Sequence, residues 1–225
     1  LISLFLIYFL ALFSGIYSST IHNTKKERAL SLFLFVLYSL PSFWIANLLI
    51  LFLTGGDFLN LFPSQYLHAP DADSYSAFKY FLDWIWHLVL PVFTLTYGGL
   101  AYLSRQMKVS MLEALNQDYI RTAKAKGMPQ QRVVYGHALR NALIPMVTLL
   151  GGLLPSLLGG SIIVEEIFTI NGMGKLSFEA IMNRDYPVIN AIAFLSAFLT
   201  LAGILLSDIL YVLVDPRIKL VKTKL

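Results

Sequence analysis

The chain has 225 residues, of which 57% are hydrophobic and only 13% charged, with a formal net charge of +4. A soluble domain carries about 25% charged residues, so this composition excludes a globule surrounded by water and points to a membrane protein. There is no cysteine, which excludes a disulfide framework and thiolate metal sites.

Crossing a hydrocarbon layer about 30 Å thick takes about 20 mostly apolar residues in a helix, which satisfies its own backbone hydrogen bonds there. In chain order five stretches qualify: Leu1 to Ser19, Ala29 to Leu53, Trp84 to Leu103, Leu143 to Val164 and Val188 to Val214. Leu1 already lies inside an apolar run, with neither the basic segment nor the cleavage site of a signal peptide. The first stretch therefore reads as a span, and the chain as a fragment or processed form. Pro145, Pro155 and the pairs Gly151-Gly152 and Gly159-Gly160 interrupt the fourth stretch.

Lysine and arginine set the orientation, because short loops rich in them stay in the cytoplasm. Lys25, Lys26 and Arg28 lie in the first loop, seven basic residues lie between Arg105 and Arg140, and Arg217, Lys219, Lys222 and Lys224 lie in the tail. The two remaining loops hold only Lys79, Lys175 and Arg184. Fourteen of the seventeen thus fall on one side, which predicts a chain that starts outside and a cytoplasmic C-terminus. Trp84 and Trp86 fit the outer headgroup level, and the outer loop carries Asp57, Asp71, Asp73 and Asp83.

Four prolines fall within three spans: Pro41, Pro91, Pro145 and Pro155. Each removes a backbone hydrogen bond and favours a kink. Proline is also simply frequent in membrane helices, but four together predict a bundle that moves and lines a pathway. Asp208 is the one ionisable residue clearly inside a span, a candidate partner for a basic group.

No catalytic constellation is legible. The stretch "NGMGKL" lacks the upstream glycine and the following Ser or Thr of a phosphate-binding loop: Thr169 and Leu176 stand at those places. His22, His68, His87 and His137 lie on separate segments without paired spacing, so no metal site is expected. No cofactor is expected, and nothing in the chain is suited to hydrolyse ATP.

From Arg105 to Arg140 the chain is amphipathic. Met107, Met111, Leu115, Tyr119 and Thr122 or Ala123 recur at three to four residues, which predicts a helix emerging from the membrane. Gly127 is suited to a left-handed cap, with lysines in the last turn, and Pro129 to opening the next helix. The alanines leave a shallow surface near Ala123. This loop could be a solvated connection, a patch for nucleic acid or anionic lipid, or a docking element for a cytoplasmic partner.

The segment "DYIRTAKAKGMPQQRVVYGHALRNALIP" resembles the EAA loop of ABC-importer permeases, in the dipeptide, oligopeptide and nickel branch. "LPSFW", "HLVLP", "GGSIIVEEIF", "NRDYPV" and "DILYVLVDPRIKL" are similar to that branch's other stretches, in the same order, from about Leu37 to Leu220. The resemblance implies an all-α polytopic helical bundle, a type I ABC importer permease core with about five spans here. It implies one permease domain over residues 1–225, N-terminally incomplete because the family has an additional span, with the coupling loop at 105–140.

It also implies the function: half of an inner-membrane pathway for peptides or similar small solutes, not itself an enzyme. The implied partners are two cytoplasmic ATPase subunits that bind the ATP, a second related permease, an external substrate-binding protein and the bilayer, with no nucleic acid. Arg121, Thr122, Ala123 and Gly127 stand at the motif's Glu, Ala, Ala and Gly places, so Arg121 to Gly127, with Lys124, Ala125 and Lys126 between, is the implied coupling segment. Arg121 and Thr122 depart from the motif, and Asn171 stands where a proline is usual before Gly172. "EAL" at Glu113 is a decoy, since Tyr119 rather than glycine follows six residues later. A passive channel or membrane scaffold is the competing function; co-purification of an ATPase separates the two.

Overall fold

The computed structural model describes residues 1–55, 58–152, 155–156 and 159–214. Asp57 and the basic tail from Arg217 to Lys224 lie outside the described residues. Among the described residues the chain is helical, and the β pairing is a single bridge between Thr54 and Asn60. Four helical segments are long and apolar enough to cross a membrane: Ile2–Thr20 (α1), Ala77–Leu115 (α4), Arg132–Gly151 and Tyr186–Val214 (α10). A fifth crossing is the bent pair Lys25–Ser39 (α2) and Ser42–Leu53 (α3), which meet at 94°. At 1.5 Å per residue neither half spans about 30 Å alone, so the pair together makes one broken span or a re-entrant element.

Pro41 sits at that break, extended at φ −63° and ψ 135°. Lipid offers no partner to a carbonyl freed by a broken helix. Here Tyr97 of α4 donates its hydroxyl to the Leu40 carbonyl at 2.8 Å. The other prolines differ from this one. Pro91 lies inside the continuous 39-residue α4, and Pro145 lies in the first turn of Ile144–Gly151 (α7), where its missing N–H costs little. Pro155 is helical and half-buried.

Two expected span limits are corrected. The third helix continues well past Leu103 to Leu115. The fourth begins at Arg132 rather than Leu143, as a π-helical stretch Arg132–Ala138 that continues through Leu139–Ala142 (α6) into α7. Hydropathy alone missed this start because its buried residues, Val133, Val134 and Ala138, are interleaved with Arg132 and His137. At the other end Ile162, Ile163 and Val164 belong to a separate short helix, Ile162–Ile167 (α8), followed by Met173–Met182 (α9).

Lipid tails are as apolar as leucine, so helices associate here through close backbone approach and hydrogen bonds. A Cβ on Gly15 of α1 would lie 2.6 Å from Met107 Cβ of α4. The adjacent Ser14 donates at 2.8 Å to the Oγ of Ser104, about one turn before Met107. Gly203 of α10 meets α7 so closely that a Cβ would lie 2.2 Å from the Gly151 carbonyl oxygen, and Ser207 donates to the Val147 carbonyl at 3.0 Å.

Two cores result. One joins α1 and α4 to the segment Ile120 to Met146 at the end where the basic residues gather. Lys108 of α4 and Glu27 of α2 pair at this basic end, and Ser31 donates to the same Glu27 oxygen at 2.7 Å. The other core joins Ala46, Leu90, Val164 and Phe168 at the opposite end.

Candidate functional site

The segment Arg121 to Gly127 lies on and just after a short helix, Asp118–Ala125 (α5). The expected single helix from Arg105 breaks at Asn116 and Gln117, where Gln117 is extended at ψ 154°. The break shifts the helical phase. Met107, Met111 and Ala123 are buried as the periodicity allows, but Tyr119 is exposed and Ile120 turns inward instead. This corrects the expectation of a shallow outer surface at Ala123, which is 6% exposed. The outer face is Arg121, Thr122, Lys124 and Ala125.

Gly127 closes α5 at φ 75°. Its N–H donates to the Lys124 carbonyl at 2.9 Å, and that of Met128 to the Ala123 carbonyl at 3.3 Å. This pair of bonds is a Schellman cap, which requires a left-handed residue after the helix. Pro129 then supplies its carbonyl to the Val133 N–H at 3.1 Å and starts the next helix. Asp118 in the first turn and Lys124 in the last both suit the helix dipole. The Arg121–Asp118 pair, at 3.2 Å, is so exposed that water screens most of its attraction. The result is a short positively charged ridge, anchored by two small buried contacts at the basic end. Arg140, farther along, donates to the Val214 carbonyl and ties this region to the end of α10.

At the opposite end lies a constellation that motif reading missed. The Glu165 carboxylate accepts the N–H groups of Ser161 at 3.2 Å, Gly174 at 3.4 Å and Lys175 at 2.7 Å. It thereby caps the start of α9, whose first N–H groups otherwise have no partner. A carboxylate of the chain itself fills the concavity made by "NGMGKL", which agrees with rejecting that stretch as a nucleotide site. The available signal was two glycines flanking a helix start, with a nearby acid.

The histidines are less scattered than their sequence positions indicate. His68 approaches Asp83 Oδ2 at 3.1 Å, and His87 lies 3.4 Å from Oδ1 and 2.9 Å from the Asp83 carbonyl oxygen. Asp208 is exposed, and no described residue pairs with it. Among the described residues no group of three or more His, Asp or Glu side chains is arranged to hold a metal ion.

The comparisons with known proteins agree with this architecture. Residues 7–220 match the family described as "Binding-protein-dependent transport system inner membrane component". The chain is 42% identical over 205 residues to the oligopeptide transport system permease protein AppB of Bacillus subtilis, covering 91% of this chain and 63% of that protein. It is 42% identical over 184 residues to the dipeptide transport system permease protein DppB of the same organism, covering 82% and 54%. To the inner membrane ABC transporter permease protein YejB of Escherichia coli O157:H7 it is 34% identical over 217 residues, covering 96% and 60%. The chain therefore spans between half and two thirds of the length of these relatives. With a match across nearly its whole length and a helical membrane architecture to go with it, the chain belongs to the family of inner-membrane components of binding-protein-dependent transport systems.

Proposed function

We propose that this chain is the permease half of an ATP-driven importer for peptides or similar small solutes. The observation that carries the reading is α5, a short cationic ridge at the basic end, pinned to the bundle through Ile120 and Ala123 and capped by Gly127. A partner pressing on its outer face would move the core shared with α1, α4 and the π-helical stretch. In this reading two cytoplasmic ATPase subunits bind the ATP, and one docks on Arg121, Thr122, Lys124, Ala125 and Lys126. Ala123 serves from behind, as the hinge side. The basic end and the C-terminus face the cytoplasm, a second related permease completes the pathway, and an external binding protein delivers cargo. The helix break at Pro41 and the prolines Pro91, Pro145 and Pro155 line that pathway. The relatives' names as oligopeptide and dipeptide permeases support the substrate class.

Deleting Thr122 to Gly127 tests the coupling. The expected result is a chain that still inserts in the membrane but no longer supports ATP-dependent uptake or retains an ATPase on purification. Normal uptake by the deletion would refute the assignment.

A further inference from the structure

A crevice of about 510 Å³ opens between α1, α2 and α4 near the basic end. Its polar residues gather at one end: Ser18 closes α1, Ser31 lies in the second turn of α2, and Arg105 and Lys108 lie beyond the apolar part of α4. Away from them, toward the middle of the bundle, the walls are Leu34, Phe35 and Tyr38 of α2 and Tyr102 of α4. From Ser31 to Tyr38 the helix rises about 10 Å. The crevice is thus charged at membrane-surface depth and apolar deeper in.

The charges there do not cancel. Lys108 is matched by Glu27, whereas Arg105 is exposed and paired with no described residue. The surplus is one positive charge, and Phe35, Tyr38 and Tyr102 are exposed at the crevice wall. We infer that this crevice binds an anionic phospholipid, its phosphate at Arg105 and an acyl chain along Phe35 and Tyr38. Basic pockets between membrane helices take acidic headgroups in this way. A zwitterionic lipid would bring its own ammonium group toward Arg105 and lose that advantage. The inference needs only that the chain crosses a membrane and does not depend on the transport assignment.

The test is native mass spectrometry of the full chain from nanodiscs holding equal amounts of phosphatidylglycerol and phosphatidylcholine. Wild type should retain phosphatidylglycerol preferentially. Arg105→Gln should lower that retention about fivefold, the effect of one basic residue near an acidic surface, while Arg105→Lys keeps it. Val109→Trp, which crowds the crevice mouth without altering charge, should lower it as well. Because Arg105 and Val109 are exposed, all three variants should still fold. Equal retention of the two lipids, an Arg105→Gln variant indistinguishable from wild type, or displacement of the lipid by inorganic phosphate alone would each overturn the inference.

Discussion

At the basic end the chain turns at Gly127, whose φ is 75° and around which an added Cβ would meet nothing within 4 Å. At the opposite end Gly160, Gly172 and Gly174 crowd a carboxylate, and a Cβ on Gly172 would lie 2.3 Å from Glu165 Cδ. The first turn needs glycine for its backbone angle alone, the second for its lack of volume and, at Gly160, for the angle too. A turn of the first kind sits in open space where another protein has room to approach. One of the second kind is locked by its own side chain. The comparison teaches that the acidic turn is a structural clamp, whereas the cationic turn is free to serve contact.

The comparison can be broken most forcefully at Gly160, which combines φ 55° with a would-be Cβ 2.4 Å from the Gly174 nitrogen. Gly160→Ala adds left-handed strain of about 1–2 kcal/mol to overpacking of about 1–3 kcal/mol. It should lower the thermal midpoint of the detergent-solubilised protein more than any other single change in either turn. Glu165→Ala should come next, since it leaves three N–H groups without their charged acceptor. Only the bond from Lys175, at 2.7 Å, is short, so the loss should be near that of one bond to a charged group, about 1.5–3 kcal/mol, and the amides of Gly174 and Lys175 should exchange with solvent deuterium distinctly faster.

Gly127→Ala should cost about 1–2 kcal/mol, all of it from the angle. Gly127→Asn should recover part of the loss, because asparagine tolerates the left-handed region. An equal loss for both variants would show that space, not angle, governs this turn as well. The smallest effect on stability belongs to Arg121→Gln, within about 0.5 kcal/mol, because its ion pair is exposed. If the cationic ridge is the docking face, the same variant should nonetheless reduce ATP-driven uptake in vesicles. Unchanged uptake together with unchanged stability would remove the functional half of the contrast.

Much of this arrangement was legible beforehand. Long apolar runs marked the spans, since hydropathy records directly which segments lipid accepts, and Gly127 followed by Pro129 marked a helix end and a helix start. Phase was harder to read: the stripe through Leu115 to Tyr119 assumed an unbroken helix, and a two-residue break at Asn116 and Gln117 put Ile120 inward in place of Tyr119. The Glu165 clamp and the approach of His68 to Asp83 were hidden for a related reason, because they depend on residues nine and fifteen positions apart meeting across a turn, whereas His87 and Asp83 are four apart on one helix.

Composition and local pattern suffice to mark a helical membrane protein, the cluster of its basic residues, and the glycine that ends the short helix. These follow from transfer free energy and local backbone geometry, which act residue by residue. Tertiary packing sets the 94° bend at Pro41, with Tyr97 holding the freed carbonyl, and turns Ile120 rather than Tyr119 against the core. Such outcomes depend on which distant helix supplies a hydrogen-bond partner or a surface to bury against, and no local pattern carries that information.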